Sequence, residues 1–119
     1  MNCPFCKYDS IIDGTLVYTR YDKYPVSKGH CLIIPKRHVE TWFDMSKEEQ
    51  QEAFALIEKV KVMLDEKYSP DGYNIGMNCG ETAGQTIPHA HIHVIPRYQG
   101  DMKNPRGGVR GVIPEKQSY

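Results

Sequence analysis

Three of the chain's five histidines, His89, His91 and His93, alternate with Ala90, Ile92 and Val94 in the stretch Gln85-Thr86-Ile87-Pro88-His89-Ala90-His91-Ile92-His93-Val94-Ile95-Pro96. A β-strand has a period of two. A strand here presents the three imidazoles on one face and buries the small and apolar residues on the other. Imidazoles so placed can share a cation. Alternatively, one nitrogen can attack an electrophilic phosphorus while its neighbours move protons. The third possibility, a solvated polar face, requires this alternation to be a coincidence of composition. The preceding loop favours phosphorus chemistry. Gly80 and Gly84 can take positive φ and bring backbone N–H groups close to an anion, and Asn78, Gln85 and Thr86 add neutral donors. Residues 78–97 contain one carboxylate, Glu81, so little there would repel a phosphate.

A second group of chemically capable residues is Cys3-Pro4-Phe5-Cys6. Redox-active Cys-x-x-Cys pairs follow a strand and open a helix, whose N-terminus lowers the pKa of the first thiol. No strand precedes residue 3. Two thiolates can instead supply half of a tetrahedral zinc site that two histidines complete. Two free thiols on a frayed terminus are the remaining option. Cys31 and Cys79 lie in apolar or loop surroundings and read as small hydrophobes.

The 119 residues carry 15 basic and 15 acidic side chains, a formal net charge of zero, which argues against a strongly basic nucleic-acid surface. No apolar run approaches the roughly 20 residues of a membrane span. Met1 to Lys7 has no apolar signal core. The expectation is a cytoplasmic protein with no membrane partner, its cysteines thiols or ligands rather than disulfides.

The elements that must position these residues are legible in outline. Thr15 to Tyr21 and His30 to Pro35 read as strands, separated by the turn-rich Asp22 to Gly29. Val39 to Phe43 reads as a short helical turn. Ser46-Lys47-Glu48-Glu49 is a capping box, and Ala53, Leu56, Ile57, Val60, Met63 and Leu64 form one apolar stripe, predicting a helix to about Tyr68 that Ser69-Pro70-Asp71-Gly72 ends. Tyr73 to Asn78 is a third strand and the histidine stretch a fourth. Two strands, a helix and two strands predict one α+β domain over 1–119, a largely antiparallel sheet with a long helix packed on it and a polar tail over 98–119.

Gln85 to Arg97 also resembles the signature of the histidine-triad proteins, His-φ-His-φ-His-φ-φ with φ apolar. Gly29-His30-Cys31-Leu32-Ile33-Ile34-Pro35-Lys36-Arg37-His38 resembles that family's other recurrent segment, and order and spacing agree from about Leu16 to Arg97. Gln85-Thr86 before the first triad histidine, Pro96-Arg97 after the triad and the tail from Arg106 to Pro114 look like bacterial dinucleoside polyphosphate hydrolases. The resemblance implies a histidine-triad fold, with an antiparallel sheet of about five strands, one long helix and one short, and a homodimer. It implies hydrolysis or transfer at the α-phosphate of a purine nucleotide conjugate. His91 would be the nucleophile and would form a nucleotidyl-histidine intermediate. His93 would contact phosphate, with His30 close by, Asn78 and Gln85 on the phosphates, Thr86 donating to the leaving oxygen and Asp22 holding the ribose hydroxyls. It also implies a structural zinc on Cys3, Cys6, His38 and His89, and no catalytic metal or organic cofactor. Leu16, Tyr21 and Ile34 are candidate walls for the base, or plain sheet core. Arg106 and Arg110 either reach the polyphosphate or a partner subunit, or solvate the tail. The alternatives are a nucleotide-binding module without turnover, and a metalloenzyme using all three triad histidines.

Overall fold

A computed structural model describes residues 3–119. Five strands form one antiparallel sheet: β1 (Ile12–Asp13), β2 (Val17–Tyr21), β3 (Cys31–Pro35), β4 (Gly72–Gly76) and β5 (Ile92–Arg97), in the order β1-β2-β3-β5-β4. A single long helix, α1 (Lys47–Tyr68), connects β3 to β4. The predicted α+β architecture holds, and its fifth strand is the two-residue β1, too short to leave a periodic signature. Thr15 and Leu16 fall outside β2. Gly14 N–H donates to the Val17 carbonyl in a tight turn, and the Glu52 carboxylate on α1 accepts from both Leu16 and Val17 N–H at 2.7 Å. No helix among the described residues is long and apolar enough to cross a membrane.

Pairing sets which residues share a face. Thr19 opposes Ile33, which opposes Ile92, and Cys31 opposes Val94. This face, with Val17, packs against Ala53, Leu56, Val60 and Leu64 of α1, four members of the predicted stripe. Tyr18 opposes Ile34, and Leu32 opposes His93 on the other face, where Phe5 completes a smaller apolar cluster. Helix α1 therefore covers one side and the N-terminal turn part of the other.

Ser46 caps α1 as its sequence predicts, its hydroxyl accepting from Glu49 N–H at 3.1 Å while Glu49 accepts from Ser46 N–H at 2.7 Å. Glu49 is buried, and Arg37 donates to both its oxygens at 2.9 and 3.2 Å. That fork ties the end of β3 to the start of α1, beside His38, and the Arg37 guanidinium holds the Glu49 carboxyl below the usual carboxylate range. The short helix is a single 3₁₀ turn, Trp42–Asp44, capped by Thr41. It starts later than expected because the Val39 carbonyl is taken by Ala90 N–H at 2.7 Å, keeping that segment extended.

Two expected boundaries move. Strand β4 ends at Gly76 rather than Asn78, since its last partner is His93. The histidine strand begins at Ile92, so His89 and His91 precede it. Their neighbours bond elsewhere: His89 N–H donates to Ile87 and Ala90 N–H to Val39. His30 likewise sits one residue before β3. Residues 98–119 fold back in two short 3₁₀ turns, Gly108–Val112 and Pro114–Lys116.

Ser46→Ala removes the side-chain acceptor for Glu49 N–H and should cost about 1 kcal/mol. Urea unfolding should show a lower midpoint at unchanged slope. A midpoint equal to the parent's would mean that Glu49 and Arg37 hold this corner without the cap.

Candidate active site and metal centre

Leaving the regular strand lets His89 point away from its neighbours. It is fully buried, and its Nε2 donates to the Pro35 carbonyl at 2.7 Å. A proton on Nε2 leaves Nδ1 as a lone pair. Around that nitrogen lie His38 Nδ1 at 3.1 Å, Cys3 Sγ at 3.3 Å and Cys6 Sγ at 3.6 Å, with Cys6 Sγ 3.2 Å from His38 Nδ1. Tetrahedral zinc with ordinary Zn–N and Zn–S bonds has ligand–ligand edges from about 3.3 Å for two nitrogens to about 3.8 Å for two sulfurs. The distances of 3.1 to 3.6 Å lie within about 0.4 Å of such edges, all four atoms lie within 4.8 Å of one another, and a four-ligand set leaves no position for substrate. Among the described residues, His89, His91 and His93 do not converge on one point as a metal-ligand group, because the ring of His89 faces the cysteines.

His91 is held differently. Its Nδ1 donates to the His89 carbonyl at 2.8 Å, which assigns the proton to Nδ1 and leaves Nε2 with its lone pair free. His93 sits 5.2 Å away, ring to ring, on β5. Val26 N–H donates to His30 Nδ1 at 3.1 Å, so the proton of His30 is on Nε2. That N–H donates to His93 Nδ1 at 2.9 Å, with the Asp22 carboxylate 3.5 Å from the same nitrogen. His93 must then carry its own proton on Nε2. The network therefore offers one free imidazole lone pair, on His91, beside one free imidazole N–H, on His93. The same assignment argues against a cation held by Asp22, His30 and His93, which lie close enough to share one. His30 Nε2 is protonated, and freeing it would set a protonated Nδ1 against Val26 N–H. Burial lowers the pKa of His30, and burial first, then the nearby His91 and His30, push His93 down to about 4.

Asp22 also accepts from Tyr24 N–H at 2.9 Å, which shapes the turn that carries it. Gly80 and Gly84 do adopt positive φ, at 97° and 98°, bracketing a 3₁₀ turn. Gln85 has no free amide to offer a phosphate in this state: its oxygen accepts from Gly80 N–H at 2.8 Å, and its nitrogen donates to Glu40 and Ile87 carbonyls at 2.6 and 3.1 Å. It holds the loop in shape. Thr86 is exposed at the end of that loop. Asn78 lines a cavity of about 430 Å³ with His30, His93 and Asn74, and the tail supplies Val109 and Val112 as a further wall. Of the candidate base walls, Tyr21 packs on the α1 side of the sheet, away from His93, and Ile34 belongs to the Phe5 cluster. Cys31 is buried core, its thiol pushed up to about 12 by that burial, whereas Cys79 is only half-buried. Arg106 and Arg110 lie against the Tyr119 ring, 5.3 and 4.5 Å from its centre.

Two residues not singled out from sequence stand in or against the cysteine turn. Phe5, between the two cysteines, is buried with its ring centre 4.9 Å from that of His91. Arg20, also buried, donates to the Pro4 carbonyl at 3.1 Å. The available signal was an arginine inside an otherwise apolar strand, since a buried charge needs a specific partner.

Residues 7–100 match the HIT domain family. An uncharacterised HIT-like protein of Methanocaldococcus jannaschii is 38% identical over 109 residues, spanning 83% of this chain and 81% of its own length. An asymmetrical bis(5'-nucleosyl)-tetraphosphatase of Schizosaccharomyces pombe is 39% identical over 77 residues, 65% of this chain and 42% of its own length. A zinc-bound histidine triad family protein of Mycobacterium smegmatis shares the fold at a TM-score of 0.76 and 31% identity, over 86% of this chain and 79% of its own.

The lowered pKa of His93 carries a stability signature. Its folded value of about 4 lies below the ordinary 6.5, so between them the unfolded chain binds the proton more readily. The stability this contributes is complete above 6.5 and lost as pH falls toward 4. The groups facing His93 are Asp22, His30 and His91. The thermal midpoint should fall across that window, and His93→Asn should fall less steeply. Parallel slopes for the two proteins would show that His93 does not titrate as described.

Proposed function

The chain belongs to the HIT family, and on that premise we propose that it is a nucleotide hydrolase or transferase acting at the α-phosphate of a purine nucleotide conjugate through a nucleotidyl-His91 intermediate. The observation that carries this reading is the 2.8 Å bond from His91 Nδ1 to the His89 carbonyl, which leaves Nε2 as the one free nucleophilic nitrogen of the triad. Attack by Nε2 forms a P–N bond as the P–O bond to the leaving group breaks, and the leaving group departs with the electron pair. The ring, now substituted at Nε2 and protonated at Nδ1, is cationic, and the His89 carbonyl stabilises that charge. Water then attacks phosphorus and loses a proton to solvent. The P–N electrons return to Nε2 and a nucleoside monophosphate is released. His93 Nε2–H is the nearest donor to the phosphate oxygens, backed by His30. Asn78 and Thr86 supply further donors, and Asp22 accepts from ribose hydroxyls. Gln85 acts by shaping the loop. The dinucleoside polyphosphate named for the fission yeast relative is the first substrate class to test.

Cys3, Cys6, His38 and His89 would hold a structural zinc, a reading supported by their donor set, their close spacing and the zinc-bound relative. The ion would fasten the N-terminal turn to the triad segment. Exposed Phe54 and Val62 on α1 and Ile75 on the edge strand β4 support a homodimer, which sedimentation equilibrium reads directly.

Single-turnover mixing with a labelled diadenosine polyphosphate should trap an acid-labile protein adduct and release a monophosphate. His91→Ala should lower kcat by at least about 10³-fold while substrate still binds, as expected for loss of a nucleophile. Binding without adduct or monophosphate from the parent protein would leave a binding module instead. X-ray absorption on purified protein should give one zinc per chain with two sulfur and two nitrogen neighbours. Cys6→Ser should lose zinc and thermal stability together. A shell of nitrogens alone would move the metal to the triad.

A further inference from the structure

The Cys3 to Cys6 turn does more than supply two thiolates. A single 3₁₀ turn over Pro4–Cys6, closed by Cys6 N–H donating to the Cys3 carbonyl at 3.2 Å, aims the Phe5 ring inward, where it is 5% exposed. Its edge-on contacts are with His91, 4.9 Å between ring centres at 61°, and with His89, 6.0 Å at 89°. The turn is gripped from behind by two buried polar side chains of β2. Tyr18 donates from its hydroxyl to the Phe5 carbonyl at 2.5 Å, and Arg20 donates to Pro4 with its guanidinium 5.8 Å from the Phe5 ring centre. Burying a guanidinium is costly unless its partner is fixed, so these bonds hold one turn in one place.

His91 itself precedes β5 and has no strand pairing to hold it. Its imidazole meets the His89 carbonyl on Nδ1, the Phe5 ring edge-on at 4.9 Å and the His93 ring at 5.2 Å. The first two come from the metal-ligand group, one from the backbone of a ligand and one from the residue between two ligands. Resting on the reading of His91 as nucleophile, we propose that Phe5 is a positioning residue for His91, and that the cysteine turn is thereby coupled to the orientation of the nucleophile and to its tautomer. The two restraints act on different freedoms. The carbonyl fixes which nitrogen bears the proton. The Phe5 ring blocks rotation of the imidazole out of line with the incoming phosphorus. A displacement of about 1 Å in a reacting group can cost up to about 10²-fold in rate, so a loosened imidazole should be visible in kcat.

The test uses the full zinc-loaded chain with ¹⁵N-labelled histidine, comparing parent, Phe5→Leu and Phe5→Ala. In the parent, the His91 ring nitrogens should report one tautomer, protonated at Nδ1. Phe5→Ala should keep one zinc per chain, move the His91 signals toward a tautomer average, and lower kcat on a diadenosine polyphosphate by about tenfold or more with KM within about twofold. Phe5→Leu, which keeps the core filled, should fall between them and decides the matter if Phe5→Ala does not fold or loses zinc. Chelation of the parent under reducing conditions should shift the same His91 signals. A lower thermal midpoint with kcat and His91 signals unchanged would show that Phe5 only fills the core and overturn the proposal. His91 signals indifferent to chelation would overturn the coupling to the metal group. The ring-nitrogen readout needs no turnover. A parent protein that forms no adduct refutes the nucleophile reading, while the response of His91 to Phe5 still decides this one.

Discussion

The structure depends on His89 being used three ways at once. Its Nε2–H is committed to the Pro35 carbonyl, its Nδ1 meets two sulfurs and the His38 ring, and its carbonyl accepts from His91. Each commitment requires the others. The proton on Nε2 is what leaves Nδ1 as a lone pair among the sulfurs. A ring turned toward the cysteines is possible only where the chain has left regular strand geometry, and that departure leaves the carbonyl free for His91. One buried imidazole thus joins the end of β3, the N-terminal turn and His91.

Around it the sheet keeps its two faces distinct. The α1 side is an ordinary apolar core in which Val17, Ile33, Ile92 and Val94 meet the helix stripe. The opposite side carries His93 and is covered piecemeal, by Phe5 at one end and by the folded-back tail beside β4 at the other. The Arg37–Glu49 fork braces the helix start against the end of β3, next to His38. The rigid side of the molecule therefore fixes the backbone positions from which the open side presents His30, His91 and His93.

The electrostatic design is one of neutral donors. Burial holds His30 and His93 below their usual pKa, so near neutral pH they are uncharged imidazoles that donate from assigned nitrogens. Asp22 approaches the same His30 nitrogen that donates to His93, with its carboxylate 3.5 Å from it.

The histidine alternation, the glycine-flanked loop, the capping box and the helix stripe were legible in the sequence because each is a local rule: a period of two, a period of 3.6, a cap three residues from its partner. They determined the fold class and the set of residues brought together. The division of labour within that set came from contacts between distant positions. Cys3 and His89 lie 86 residues apart, and His30 and His93 lie 63 apart. Nothing in a two-residue spacing says that His89 leaves the strand, since that was decided by Ala90 bonding to Val39 and His89 to Pro35. Nor does Gln85 reveal that its amide is consumed by Gly80, Ile87 and the distant Glu40 carbonyl. A two-residue strand such as β1 is too short to show a period at all. Sequence alone determined which groups could react, through residue type and local spacing. Only the tertiary structure decided which nitrogen of each histidine carries the proton, because a tautomer is set by whatever atom the other nitrogen faces.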